Sequence, residues 1–248
     1  MHLIGGGWQP EAVAAVYGAF LEEAGRRGSG GDGPVVACVL VEEGDGGAAA
    51  EFERYDSVLR SVAPCRPVPV VVPVGGVFDP GALRDADALL VGGGLTPAFQ
   101  EAFGPVRDEV RELVRTRGLP YAGFSAGAAL AAESALVGGW LSKGVPVCPG
   151  DAAEDLEEVE VRDGLGLLPA TVDVHATQWG TLGRLIEVVR SGGAPQGVAI
   201  DEGTALVVED GHGTVAGTGR VHLVRPAIAS SEGTVTVRAY GTGETFAF

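Results

Sequence analysis

A chain of 248 residues can bury one sizeable core or two small ones, and 46% hydrophobic against 20% charged residues marks it as folded rather than disordered. The formal net charge of −16 argues against nucleic acid, which calls for a basic face, and disfavours an anionic membrane surface. Its plain consequence is a well-dispersed protein.

Three scattered cysteines, Cys38, Cys65 and Cys148, suit neither a disulfide framework nor a zinc site. The opening Met1-His2-Leu3-Ile4-Gly5 has no basic leader and no long apolar run. No segment reaches the roughly 18 apolar residues of a membrane span. A cytoplasmic protein is expected.

In chain order, Leu3-Ile4 runs into the triple glycine Gly5 to Gly7. Pro10 then opens a helix whose apolar positions Val13, Val16, Tyr17, Phe20 and Leu21 share one face. Val35 to Val41 reads as a buried strand, followed by a helix from about Ala48 to Val62. Val68 to Val74 is a further strand that Pro69 and Pro73 confine to an edge or break. Ala88 to Val91 is short, apolar and ends at Gly92. Pro105 begins an amphipathic helix through Val106, Val110, Leu113 and Val114, closed by Gly118, and Leu119 to Phe124 is again a strand.

The acidic stretch Asp151 to Glu160 reads as a mobile loop or a solvated face. Thr171 to His175, a helix from Thr181 to Arg190 and Val198 to Ile200 continue the alternation. Ala205 to Glu209, Thr214 to Ala216, Val221 to Val224 and Thr234 to Tyr240 then follow across glycine turns, hairpin fashion. Buried strands joined by helices predict an α/β fold: a three-layer sandwich around a mostly parallel central sheet. The hairpins form an antiparallel extension, about 204–248, of a single domain spanning 1–248.

Gly123-Phe124-Ser125-Ala126-Gly127 is a G-x-S-x-G sequence between a strand and a helix pattern. Such a turn strains the serine backbone and requires small neighbours, and the helix N-terminus behind it offers N–H groups to a developing oxyanion. Its bland alternative is a capping serine in an ordinary strand–helix turn. A second cluster, Gly92-Gly93-Gly94-Leu95-Thr96-Pro97, also follows a buried strand. It lacks the lysine and spacing of a phosphate loop, so a second oxyanion donor facing Ser125 is the better fit.

Four histidines narrow the choice of base. His2 lies near the first strand, His212 in the turn Asp210-Gly211-His212-Gly213, and His222 in a C-terminal strand. His175 ends a strand where parallel α/β sheets place their sites, which makes it the best general base. The carboxylate that would orient it is Asp201 or Glu202, both following a buried strand, with turn residues as the bland reading. Asp173, two residues before His175 on a strand, points to the same face as His175 and is expected to line the pocket.

In the order Ser125, His175, Glu202 the chain resembles the S51 peptidases, the dipeptidase E and cyanophycinase family, built on the class I glutamine amidotransferase-like fold. The resemblance is carried by Gly92-Gly93-Gly94, by Gly123 to Gly127, by Asp173-Val174-His175 with Gly183-Arg184-Leu185, and by Ile200 to Leu206. It implies that Ser125 attacks a peptide carbonyl, that His175 moves the proton and that Glu202 orients His175. The N–H groups of Gly94 and Ala126 would form the oxyanion hole. It further implies no metal or organic cofactor, a small peptide as substrate, and dimers as a frequent assembly.

Substrate contacts are expected from Gly93, Leu95, Thr96, Asp173, Trp179 and Arg184. Trp179 and Thr181 stand where the family carries arginines, and Leu95-Thr96 where cyanophycinases carry polar residues. Arginine is the usual partner of a carboxylate, so these changes put a preference for acidic substrates in doubt, while Trp179 offers an aromatic wall. Two rivals stand beside this reading. An α/β-hydrolase-type esterase would order its triad serine, acid, histidine and so need His212 or His222. A non-catalytic binding protein could keep the scaffold alone.

Overall fold

Five short apolar runs of the first half become parallel strands in the computed structural model, which describes residues 1–28, 33–44, 46–227 and 233–248. They are β1 (His2–Ile4), β2 (Val35–Glu42), β3 (Arg66–Pro73), β4 (Ala88–Val91) and β5 (Tyr121–Phe124). The helices between and after them are α1 (Val13–Gly25), α2 (Gly47–Val62), α3 (Thr96–Phe103), α4 (Arg107–Arg117) and the short α5 (Ala126–Leu130). Helix α4 stops at Gly118, whose left-handed φ of 57° lets Leu119 N–H reach the Val114 carbonyl at 2.9 Å.

The remaining strands are β6 (Ser134–Gly138), β7 (Leu141–Ser142), β8 (Val145–Pro146), β9 (Glu160–Asp163) and β10 (Thr171–Val174). After α6 (Leu182–Arg190) come β11 (Gly197–Ile200), β12 (Thr204–Glu209), β13 (His212–Gly217), β14 (Val221–Pro226), β15 (Val235–Tyr240) and β16 (Thr245–Ala247). An eight-stranded sheet runs β16-β13-β12-β1-β5-β4-β2-β3, and a four-stranded one runs β10-β11-β14-β15. The C-terminal strands are antiparallel as expected, but they divide between the two sheets: β12, β13 and β16 extend the first, β14 and β15 the second. Part of the expected extension, 228–232, lies outside the described residues.

Strand alternation sorts the core. Ile4, Val36, Cys38, Leu40, Leu90 and Phe124 face α1 and α2, while Leu3, Ala37, Val39, Leu89 and Val91 face α3, α5 and the second sheet. The layer opposite α1 and α2 is thus built jointly from helices and a sheet. Helix α6 covers the far side of that sheet through Leu185, Val188 and Val189. Strand β3 sits at the sheet edge, and Pro67, Pro69 and Pro73 share one parity. The opposite parity bonds to β2's side, as in Arg66 N–H to the Pro34 carbonyl at 2.8 Å, so the missing N–H groups fall on the open edge.

What matters for function is where these strands end. The carboxyl ends of β1, β2, β4, β5, β10 and β11 deliver Gly5 to Gly7, Glu43, Gly92 to Gly94, Ser125, His175 and Glu202 to one region. This is the general location of sites in open α/β sheets.

Candidate active site

Ser125 occupies the turn from β5 into α5 with φ 51° and ψ −111°, a conformation outside the ordinary wells for a residue with a side chain. The turn is possible because its neighbours are small: a Cβ on Gly127 would sit 2.2 Å from the Val91 carbonyl oxygen. Ser125 Oγ lies 2.9 Å from His175 Nε2, and His175 Nδ1 lies 2.7 Å from Glu202 Oε1. His175 too holds a left-handed φ, 54°. Strain of this kind costs roughly 1–3 kcal/mol per residue and persists only where the surroundings fix it.

The fixing is done by the exit of β1. The carbonyls of Ile4, Gly5 and Gly6 accept, in succession, the N–H groups of Ser125 at 2.9 Å, His175 at 3.0 Å and Gly203 at 2.9 Å. Each of the three segments that carry the constellation is therefore hung on one of three consecutive peptide units. Gly6 must be glycine here: its φ is 98°, and a Cβ would lie 2.1 Å from Cε1 of His175. The triple glycine, read from sequence only as the end of a strand, is the mount of the site.

The Gly92–Thr96 loop faces Ser125 from the end of β4. Gly92 N–H donates to the Val39 carbonyl at 2.9 Å, Gly93 N–H to Tyr55 Oη at 3.0 Å, Leu95 N–H to Glu43 at 2.8 Å and Thr96 N–H to Glu154 at 2.9 Å. Around the elbow, Ser125 N–H is held by Ile4 and Gly127 N–H by the Gly92 carbonyl at 3.0 Å. Among the described residues, Gly94 and Ala126 are the members of these two turns whose N–H groups have no such partner.

Two cavities meet at Ser125. One, of about 620 Å³, is walled by Trp8, Leu40, Val41 and Phe124 with Glu43, Glu51 and Glu202. The other, of about 530 Å³, is walled by Leu95 and the segment Gly150 to Asp155. Both lie in the size range of small-ligand sites. The first part of the acidic stretch, Asp151 to Asp155, thus forms a wall, while Glu157 and Glu158 beyond it are exposed as a solvated face. Burial pushes the Glu154 carboxyl up against the opposing Thr96 N–H. Among the described residues, the carboxylates Glu43, Glu51, Asp151, Glu154, Asp155 and Glu202 line the two cavities, and no lysine or arginine does.

Burial lowers the His175 pKa below 6.5, and the Glu202 carboxylate opposes the shift. The His175 imidazole is therefore neutral at neutral pH. Asp201, the alternative orienter, points away: its Oδ1 accepts from Thr177 N–H and hydroxyl at 3.1 and 2.8 Å, and its Oδ2 accepts Arg220 N–H at 2.9 Å. His222 lies 3.6 Å from Asp201 rather than near Ser125, and His212 is an exposed turn residue bonded to the Asp210 carbonyl at 3.0 Å. The order serine, acid, histidine has no geometry here.

A family model described as Peptidase family S51 matches residues 79–216, which contain Ser125, His175 and Glu202 together. The chain belongs to peptidase family S51. Over 124 residues it is 37% identical to cyanophycinases from Trichormus variabilis and Nostoc sp., a stretch covering 49% of this chain and 39% of theirs. The chain spans about two fifths of the length of these curated relatives. A crystal structure of a peptidase from an acI-B1 Actinobacterium aligns over 100% of this chain and 96% of its own, with TM-score 0.63 and 19% identity. A protein described as a candidate peptidase E from Listeria monocytogenes EGD-e aligns over 88% and 98%, with TM-score 0.55 and 15% identity. These two likenesses show the shared α/β fold with its mixed, mostly parallel sheet.

Within this S51 chain not every expected substrate contact reaches a cavity. Gly93, Leu95 and Trp179 do. Thr96 is buried at the start of α3. Arg184 and Asp173, expected in the pocket wall, are instead 3% and 1% exposed and spent on each other, Nε to Oδ2 at 2.9 Å and Nη2 to Oδ1 at 2.8 Å. Arg184 also donates to the carbonyls of Gly139 and Ala152, which ties the Gly150 to Asp155 wall to α6. This correction has a simple cause: strand β10 is covered on both faces, so Asp173 has no solvent-filled side to point to. Trp8, Glu43, Glu51, Tyr55, Gln9 and Gln178 line or brace the site without any sequence signal. Gln9 donates to Glu202 Oε2 at 3.1 Å, and Gln178 accepts the Glu202 N–H at 3.0 Å. Among the described residues no His/Cys/Asp/Glu group could hold a metal ion, and no helix is long and apolar enough to cross a membrane.

Proposed function

We propose that this S51 protein hydrolyses a peptide or isopeptide bond in a small peptide through a Ser125–His175–Glu202 triad and an acyl-enzyme. The observation that carries the reading is the unbroken relay, 2.9 Å from Ser125 Oγ to His175 Nε2 and 2.7 Å from His175 Nδ1 to Glu202, at the meeting point of two cavities.

Glu202 keeps the proton on Nδ1, so Nε2 is left to accept. Ser125 Oγ attacks the scissile carbonyl as its proton passes to His175, and the oxyanion is received by the Gly94 and Ala126 N–H groups. His175 then protonates the leaving nitrogen, and the C–N bond breaks. Water then attacks the acyl carbonyl as its proton passes to His175, and His175 returns that proton to Ser125 Oγ as the C–O bond breaks and the acid leaves. Membership of a peptidase family supports an amide rather than an ester as the bond attacked.

The test incubates wild-type protein and Ser125→Ala with a mixed dipeptide and isopeptide library, read by mass spectrometry. Cleavage by wild type alone is the expected result. A library untouched by both proteins, or cut equally by both, overturns the proposal and favours an ester substrate or a binding role.

A further inference from the structure

The imidazole of His175 lies flat on the indole of Trp179: the ring centroids are 3.9 Å apart and the planes differ by 9°. The local chain builds this stack. Trp179 N–H donates to the His175 carbonyl at 2.8 Å, and the turn so closed is bracketed by the left-handed His175 and Gly180. Thr177 and Gln178 bind the turn to Asp201 and Glu202. On the other side Gly6 closes on Cε1. Yet Trp179 is 44% exposed and lines both cavities. An aromatic so exposed adds little to the core, and the ring it covers is the base.

We propose that Trp179 is a positioning residue for the hydrolysis: its π face holds the His175 ring in place and stabilises the imidazolium that forms when Nε2 takes the Ser125 proton. The inference rests on the reading of Ser125 and His175 given above. An indole face attracts a cation more than a neutral ring, so the contact strengthens at the step where charge develops. The other groups facing the imidazole are Glu202 at Nδ1, Ser125 at Nε2, and the Asp173–Arg184 pair behind it. Burial and, least of these influences, Arg184 oppose the charged imidazole, while Glu202 and, less strongly, Asp173 favour it; the indole face adds to the favourable side.

Trp179→Leu keeps an apolar group over the ring and removes the π face; Trp179→Phe restores one. The first readout is the rate at which a fluorophosphonate labels Ser125. There the P–O bond to Oγ forms, the P–F bond breaks, fluoride leaves and the proton goes to His175. The second is the titration of His175 followed by ¹⁵N-imidazole NMR. Trp179→Leu is expected to slow labelling about 3- to 30-fold and to lower the titration midpoint, with an unchanged melting temperature. Trp179→Phe should recover most of both.

Labelling of Trp179→Leu at the wild-type rate overturns the inference, as does a phenylalanine variant no better than leucine. A midpoint that rises in Trp179→Leu also overturns it, because the indole would then act only by excluding water. If wild-type Ser125 takes no label, the nucleophile reading fails on its own, and the NMR titration still decides the stack.

Discussion

At the scale of single residues, the His175–Glu202 bond is the contact on which the proposed chemistry turns. Glu202→Gln keeps the shape but permits an amide N–H to face Nδ1 and so favours the wrong tautomer. The expected outcome is a loss of about 10²–10⁴ in kcat with a near-normal melting temperature, measured on the substrate found in the library. The lowered His175 pKa adds a pH signature. Its neutral form persists below pH 6.5, so the acid limb of kcat/KM should fall at lower pH than an ordinary histidine would give. The stability consequence has the same direction. The unfolded chain takes up this proton first as pH falls from 6.5, so the folded state loses stability across the window down to the lowered value. Ser125 and His175 were legible because each directly follows an apolar strand, whereas the strand end at Ile200 offered both Asp201 and Glu202 and only the family resemblance chose between them. The fates of Arg184 and Asp173 were not, since only the packing of α6 against β10 shows that each is the other's partner.

At the scale of elements, that buried pair makes a prediction of its own. Arg184→Met leaves Asp173 charged and alone in the core, and should cost about 3–5 kcal/mol in chemical denaturation. Adding Asp173→Leu removes the orphaned charge and should recover most of the loss. The strands and helices that alternate up to Phe124 could be read from their apolar runs, and the prolines of β3 named it as an edge. Strands β6 to β9 gave no such signal. They are two to five residues long, run through acidic and glycine-rich sequence, and pair with each other rather than with the main sheet. The choice of sheet by β12 to β16 was equally hidden, because a hairpin pattern shows that strands pair without showing what lies beyond them.

At the scale of the whole molecule, the net charge of −16 and the acidic cavity walls act together. With Arg184 withdrawn from the site, no lysine or arginine among the described residues lines either cavity to receive a substrate carboxylate. Small peptides carrying a positive charge should therefore be cleaved with higher kcat/KM than their acidic counterparts. That advantage should shrink as ionic strength rises from about 0.01 to 1 M and the Debye length contracts from about 30 to about 3 Å. Matched cationic and anionic peptides assayed across a salt series measure both effects.

Ser125 leaves β5 of the eight-stranded sheet, whereas His175 and Glu202 leave β10 and β11 of the four-stranded one. One link of the relay thus spans a seam and the other stays within a single sheet. The relay is a gauge of how the two sheets are registered. A slip of about 1 Å parts serine from histidine, enough to cost roughly a hundredfold in rate, and leaves histidine and glutamate together. Hydrolysis should then fade at urea concentrations where far-UV circular dichroism still reports intact strands. Of the three carbonyls at the end of β1, that of Gly5 is the stitch across the seam, because it holds His175 at the end of β10 while its neighbour Ile4 holds Ser125 within the larger sheet.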